Sequence, residues 1–196
     1  MTRLRLFPKR LQKAQSLVEF SLILPIIMTM TLSIAEFGMA YGTNMTLIEA
    51  TREGARVGAV LVNGSNNLGL FGITGAACVD PQIILAVQRV VESPGSGITA
   101  ANIDEVDIYK ANASGGQALS NVWHVGASSP CGLSLHFVQS SVGWNATART
   151  NTLPVDAIGV SITYRYRLFT PLSAITGLFG LNTISMTDST VMDLEP

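Results

Sequence analysis

The chain has 196 residues, 13% of them charged and 47% hydrophobic. This composition excludes an intrinsically disordered chain and fits one membrane helix plus one domain of ordinary size. The net charge of −1 hides an asymmetry: five basic and no acidic residues lie before residue 15, and without them seven basic residues stand against 13 acidic ones, a formal charge of −6. The remaining domain is therefore unsuited to nonspecific nucleic-acid binding, which needs a basic surface.

The first predicted element is an apolar helix. Residues 20–35 contain no charged side chain and would form about 24 Å of helix at ~1.5 Å per residue. Leu17, Val18 and residues 37–41 extend this run, so that it can cross a hydrocarbon core of ~30 Å. The sequence therefore predicts a single membrane-spanning helix near the N-terminus.

The charges around this helix predict its orientation. Five basic residues precede the apolar run, and the next one is Arg52. The positive-inside rule then places the start of the chain in the cytoplasm and everything after Tyr41 outside. Pro25 lacks an N–H and should bend or loosen the helix one turn earlier, which a membrane helix tolerates.

One carboxylate, Glu19, stands at the start of the apolar run. An ionised glutamate near lipid costs up to a few kcal/mol unless it lies at the interface or finds a partner. Four short segments match the sequence pattern of a known family, and the first of them contains Glu19: QSLVEF at 15–20, LP at 24–25, EFG at 36–38 and ATREGAR at 50–56. With these segments the chain resembles the TadE-like pseudopilins of tight-adherence (Tad) pili, within the type IV pilin superfamily.

The resemblance implies a processing site and an assembly residue. A prepilin peptidase would cut between Ala14 and Gln15, where Ala14 replaces the more usual glycine. Glu19 would then pair with the new N-terminal amine of a neighbouring subunit. We group Phe20 and Pro25 with Glu19 as assembly residues, because a bend at the proline would let the helix adapt between a bilayer and a bundle.

Two other interpretations of the N-terminus are open. In a secretory signal peptide, residues 38–40 (GMA) would supply the small-residue cleavage site. An h-region of only ~7–15 residues, however, would not carry Glu19. An uncleaved signal anchor explains the hydropathy but not the family segments.

The helix is predicted to continue beyond the membrane. One face is expected to be apolar because its members recur three, four or seven positions apart: Tyr41, Met45, Ile48, Ala55 and Ala59. A second face is expected to be exposed and to carry charged pairs: Glu49, Arg52, Glu53 and Arg56. Small residues predict close packing against another helix or a sheet: Gly38, Gly42, Gly54 and Ala55.

The outer domain is predicted to combine one short helix with a sheet. Residues 63–75 have loop composition, and Asp80-Pro81 predicts a helix start with Asp80 as N-cap. An apolar stripe over residues 83–91 should cover the sheet, and residues 93–95 end the helix.

Alternating side chains predict the strands, most clearly at residues 158–168, where apolar and aromatic residues alternate with Gly, Ser, Thr and Arg. The other strands and connections are predicted at residues 106–109, 118–125 and 183–194, with a turn at 114–116 and a short helix or turn at 172–181. This tail also resembles the TadE-like pattern, with Asp193 where a basic residue is expected.

The chain has two cysteines, Cys78 and Cys131, both on the predicted outer side, where disulfides persist. A bond between them would close a loop of roughly 50 residues and contribute up to about 4 kcal/mol. Two free buried thiols are the alternative.

No catalytic or metal-binding motif was found in the sequence. His124 and His136 are the only histidines, and no local signature makes either one the base for a nucleophilic Cys131. Residues 104–107 lack the ligand count and the glycine of a calcium loop. The sequence therefore predicts no enzyme, no metal and no other cofactor.

These elements predict an α+β, pilin-like protein with a leader at 1–14, a membrane-spanning and amphipathic helix at 15–62, and an extracytoplasmic domain at 63–196 built from an antiparallel sheet and a short helix. It would be a pilin or pseudopilin of a Tad-type pilus, held in the cytoplasmic membrane and displayed on the cell surface after assembly, where it serves adhesion. Its partners would be other pilin subunits, the prepilin peptidase, the Tad assembly machinery and the membrane, with no nucleic acid. A monomeric membrane-anchored binding domain is the alternative, and a hydrolase a more distant one.

Overall fold

The computed structural model describes residues 9–64, 73–171, 177 and 183–195, with the backbone alone for residues 9–14. The helices and strands are α1 Lys9–Leu61, α2 Val79–Val91, β1 Ile103–Ala111, β2 Gln117–Ser128, β3 Leu135–Val142, β4 Ala157–Arg167 and β5 Thr183–Asp193. The chain divides into two compact units. We call residues 1–38 and 168–182 the helix unit, and residues 39–167 and 183–196 the sheet unit.

The five strands form one antiparallel sheet in the order β3-β2-β1-β4-β5. Register places Val106 opposite both Trp123 and Ile162, and all three side chains are buried. The predicted class, an α+β protein with a long N-terminal helix, an antiparallel sheet and a short helix, is confirmed. The four predicted strands are also confirmed, as β1, β2, β4 and β5, whereas β3 was not predicted.

The C-terminal part of α1 packs against the sheet through small residues. A Cβ at Gly58 would lie 2.6 Å from Cδ1 of Ile158 and 3.1 Å from Cδ1 of Ile83, so glycine lets α1 approach β4 and α2 closely. The buried residues of this part include several small or hydroxyl-bearing ones: Ala40, Thr43, Ala50, Thr51, Gly54, Ala55, Gly58 and Ala59.

The predicted apolar stripe of this part was wrong at its first two positions. Tyr41 and Met45 are exposed, while Leu47, which lies between the predicted positions, is fully buried. Ala55 and Ala59, the small members of the predicted stripe, are buried as predicted. The large residues Tyr41 and Met45 are not, because α1 meets the sheet with small residues, which allow the shortest distance between backbones.

The predicted cap of α2 was also wrong. The N-cap position is Cys78, and Asp80 lies in the first helical turn. The Asp80 carboxylate accepts hydrogen bonds from Arg149 at 2.5 Å and from Asn121 at 2.6 Å. A buried arginine therefore draws this side chain away from the helix end, since a charged partner outweighs a cap.

Asp107 and Tyr109 lie two residues apart on β1 and therefore share one face of the sheet. Tyr109 pairs with Gly159 across β1 and β4, and a Cβ at position 159 would overlap the tyrosine ring. Asp107, two residues before Tyr109 on β1, is buried. Position 159 therefore requires glycine, and Asp107 is shielded from water.

Two predicted segments fall largely outside the described residues. Residues 65–72 belong to the predicted loop at 63–75, and residues 172–176 and 178–182 include almost all of the predicted helix or turn at 172–181. Gly177 is helical.

Candidate assembly surface

The N-terminal half of α1 presents an apolar surface that the described chain leaves open. Every residue from Gln15 to Met28 is exposed, and Ile34 and Phe37 are each 73% exposed. The helix from Gln15 to Leu61 is long and apolar enough to span a membrane. Burial of apolar area is favourable by about 25 cal/mol per Å², so this surface favours an apolar environment over water.

The hydroxyl groups on this surface are satisfied by the helix itself. Ser21 donates to the carbonyl of Val18 at 2.8 Å, Thr29 to that of Ile26 at 2.9 Å. Thr31 and Ser33 make equivalent bonds to carbonyls four residues earlier, at 2.9 and 2.8 Å. Such back-bonding removes the need for water as a partner, so the surface can enter an apolar environment.

Glu19 lies exposed at the start of this surface. Its Oε1 accepts a hydrogen bond from Nε2 of Gln15 at 3.0 Å, one helical turn away. The predicted processing site is thus directly beside the predicted assembly residue, because Gln15 is the first residue after the predicted cut. The Ala14–Gln15 bond lies within α1, and the side chain of Ala14 is outside the described residues.

The other two predicted assembly residues are on the same open part of α1. Phe20 is exposed, and α1 continues through Pro25. Both belong to the stretch between Gln15 and Met28, in which every residue is exposed, so a partner could reach them.

The four predicted packing residues separate into two pairs. A Cβ at Gly54 would lie 2.8 Å from Cγ2 of Val87 and 3.3 Å from Cγ1 of Val160, and Ala55 is fully buried. At Gly38 and Gly42 an added Cβ would meet nothing within 4 Å. Gly54 and Ala55 therefore serve the packing of the chain itself, whereas Gly38 and Gly42 stay open to a partner.

Glu36 was missed as a site residue, although it belongs to the EFG segment of the family resemblance. It is only 4% exposed, and its two carboxylate oxygens accept hydrogen bonds from the backbone N–H groups of Phe169 at 2.9 Å and Thr170 at 2.8 Å. All three residues belong to the helix unit. A lone acid within an apolar run was the available sequence signal.

A hydroxyl–carboxylate cluster joins α1 to the last strand. Oγ1 of Thr51 donates to Oδ2 of Asp188 at 2.5 Å and lies 3.0 Å from Oγ1 of Thr190. The N–H of Glu195 donates to the carbonyl of Ala59 at 3.0 Å. The C-terminal segment is thus attached to the helix within the sheet unit.

A buried polar cluster organises the other end of the sheet unit. Arg149, whose side chain has no exposed area, pairs with Asp80 at 2.5 Å and stacks on the ring of Trp144 with Cζ 4.6 Å from its centroid. Asn121 donates to Asp80 and to the carbonyl of Trp144, and accepts from the N–H groups of Gly143 and Trp144. The cluster joins α2, β2 and the segment before β4, so we assign it to folding.

Cys78 and Cys131 form a disulfide with a Cα–Cα distance of 5.8 Å and a sequence separation of 53 residues. The bond links the start of α2 to the turn before β3. Both sulfurs are therefore occupied, and neither is a nucleophile in this state.

The histidines have partners unrelated to Cys131. Nδ1 of His124 lies 2.8 Å from the carbonyl of Asp104, and Nδ1 of His136 lies 2.5 Å from Oε1 of Glu92. Among the described residues, no group of three or more His, Cys, Asp or Glu side chains is placed to hold a metal ion.

Two carboxyl groups of the sheet unit have shifted pKa values. The hydrogen bond from Arg56, at 2.6 Å, holds the pKa of Glu53 below its ordinary value. Burial raises the pKa of Asp107, and the nearby charge of Glu105 adds to this. The Glu53–Arg56 pair lies on the surface, as predicted, and the burial of Asp107 disfavours its charged form.

A family model described as TadE-like protein matches residues 14–56. This range includes the Ala14–Gln15 bond and all four segments on which the resemblance was based. The predicted resemblance is therefore confirmed: residues 14–56 are similar to the TadE-like family, which suggests a Tad pilus-associated protein. Comparison with curated proteins and with solved structures finds no match.

Proposed function

We propose that this protein is a pilin or pseudopilin subunit of a Tad-type pilus, which assembles through α1 into a surface filament for adhesion. The observation that carries the proposal is the uninterrupted exposure of residues 15–28 within the TadE-like match. An apolar helix surface of this length needs a cover, and a filament of such helices supplies one. Before assembly, lipid covers the same surface.

Processing is part of the proposal. Residues 1–14 are a leader that the prepilin peptidase removes, residues 15–62 form the assembling helix, and residues 63–196 form the extracytoplasmic domain. The cut creates an N-terminal amine on Gln15. Glu19 of one subunit pairs with this amine of a neighbour, and the pair sets the register because each charge is costly in an apolar bundle unless the other is present.

The proposal assigns no chemical reaction to the protein. Two observations support this: the family match at residues 14–56 is to TadE-like protein, and the polar clusters around Thr51 and Arg149 hold helices and strands together. The partners are other pilin subunits, the peptidase, the Tad assembly machinery and the membrane.

N-terminal mass spectrometry of sheared surface filaments and of the membrane fraction tests the proposal. We expect filament material that begins at Gln15. An intact Met1 in assembled material would remove the peptidase from the account, and a start at Tyr41 would support a signal peptide. Recovery of the protein from membranes but never from filaments would favour a membrane-anchored monomer.

A further inference from the structure

We propose that the segment following β4 inserts the side chain of Phe169 into the outer lipid interface beside α1, where Glu36 holds the backbone of this segment. The occupant of the surface around Phe169 is thus lipid. This inference rests on the membrane span included in the proposed function, and goes beyond it by giving the membrane a second contact from a distant part of the chain.

The first step of the argument is the position of Glu36. It lies between the uncharged run at 20–35 and the apolar residues 37–41, so a helix that crosses the membrane carries this carboxylate near the outer end of its span. An acid at such depth is costly without partners. Glu36 is 4% exposed, and the backbone N–H groups of Phe169 and Thr170 are its hydrogen-bond partners.

The second step is the depth of the partners. From Glu36 to Tyr41 the helix rises about 7 Å at ~1.5 Å per residue. Hydrogen bonds of 2.9 and 2.8 Å join Glu36 to Phe169 and Thr170, so these two residues lie at a depth similar to that of Glu36. Apolar groups that bind at the boundary between headgroups and acyl chains are buried to a comparable depth, ~5–10 Å. Irregular backbone at this depth needs partners for its N–H groups, and Glu36 provides them.

The third step is the direction in which the side chains are presented. Phe169 is 82% exposed, whereas Thr170 is buried. The phenylalanine ring has no polar group, so contact with acyl chains removes its exposed apolar area from water. The exposed Ile34 and Phe37 of the same unit continue this apolar surface. Lipid that covers α1 at this level therefore also covers Phe169. Residues 168–182 contain no charged side chain that would oppose insertion.

Tryptophan fluorescence in vesicles of phosphatidylcholine brominated at shallow acyl positions tests the proposal with the full-length protein. The native Trp123 and Trp144 are buried in the sheet unit, and the wild-type signal gives their background. We expect the emission added by Phe169→Trp to be blue-shifted and largely lost in brominated lipid. Two matched variants calibrate the measurement: Phe37→Trp on the span should be quenched, and Leu153→Trp, at a position that is 93% exposed, should not.

The outcomes distinguish a failure of the Phe169 insertion from a failure of the membrane span. Quenching of Phe37→Trp without quenching of Phe169→Trp overturns the insertion alone. A blue shift at position 169 without quenching indicates that protein, such as a second copy, covers it, and also overturns the proposal. Absence of quenching at both positions overturns the span and the insertion with it. In the Phe169→Trp background, Glu36→Ala should reduce the quenching, and unchanged quenching would contradict the holding role of Glu36.

Discussion

The two halves of α1 belong to one helix but are covered in different ways. In the N-terminal half, residues 15–28 are all exposed, and most of their side chains are large and apolar. In the C-terminal half, small and hydroxyl-bearing residues are buried against the sheet and α2. The comparison teaches that residue size along a helix distinguishes a surface that meets its own domain closely from one that is left for lipid or other subunits.

If this comparison is right, changes within the sheet unit reduce its stability without affecting membrane insertion. The largest such effect is expected for Cys78→Ser combined with Cys131→Ser. Loss of a cross-link over 53 residues should lower the free energy of unfolding by about 4 kcal/mol in the chain-entropy estimate. Denaturant unfolding in detergent, followed through the buried Trp123 and Trp144, measures it.

Carbonate extraction provides the control for the cysteine variant, which should stay in the membrane fraction. Equal unfolding midpoints for variant and wild type would show that the disulfide does not stabilise the sheet unit.

The next effect compares a buried ion pair with an exposed one. Asp80→Asn leaves the fully buried Arg149 without its counter-charge, and removal of one partner of such a pair typically costs about 3 kcal/mol or more. Asp104→Asn, which removes the partner of the exposed Arg165, should cost less than about 1 kcal/mol. Unfolding of both variants under identical conditions measures the difference, and similar losses would contradict the assigned role of the buried cluster.

Paired glycine substitutions test the comparison of the two halves directly. Gly54→Ala places a Cβ 2.8 Å from Val87 and should cost about 2 kcal/mol through overpacking. Gly38→Ala meets nothing within 4 Å, so it should leave the unfolding free energy unchanged or raise it slightly through helix propensity. The same denaturation assay applies. A loss at Gly38 as large as that at Gly54 would mean that the N-terminal half is also packed against its own chain.

The smallest predicted effect depends on pH. Burial raises the pKa of Asp107 above its ordinary value of 3.8, so the folded state favours the protonated form. The stability from this group is complete below pH 3.8 and is lost as pH rises through the folded pKa. Asp107→Asn should therefore be more stable than wild type at pH 7, with a smaller gain at pH 3. A gain that does not grow between these pH values would contradict this assignment.

Sequence patterns were sufficient to predict a strand where local alternation of side chains determines it. β4 was predicted because its apolar residues alternate with small and polar ones, whereas its pairing with β1 and β5 was not predicted. β3 was missed because only Leu135 and Phe137 are buried in it, so the apolar signal is too short to distinguish a strand from a loop.

The rest depends on partners that are distant in the chain. Asp80 has the signature of an N-cap, but Arg149, 69 residues away, determines where its carboxylate points. Glu36 stands within an apolar run, and its partners are backbone groups more than 130 residues further along. The Arg149 side chain is distant from Asp80 in the chain, and the backbone donors to Glu36 carry no sequence signature. Neither contact could therefore be predicted from local pattern.

The central claim is that Glu19, on the exposed half of α1, directs assembly and is not needed for folding. The most direct test replaces the chromosomal copy with Glu19→Ala and compares membrane and sheared-filament fractions with wild type. Glu49→Ala, which removes another exposed carboxylate from α1, is the matched control. We predict that Glu19→Ala remains in the membrane with a protease-resistant sheet unit but is lost from filaments, while Glu49→Ala is incorporated. Normal incorporation of Glu19→Ala would contradict the account.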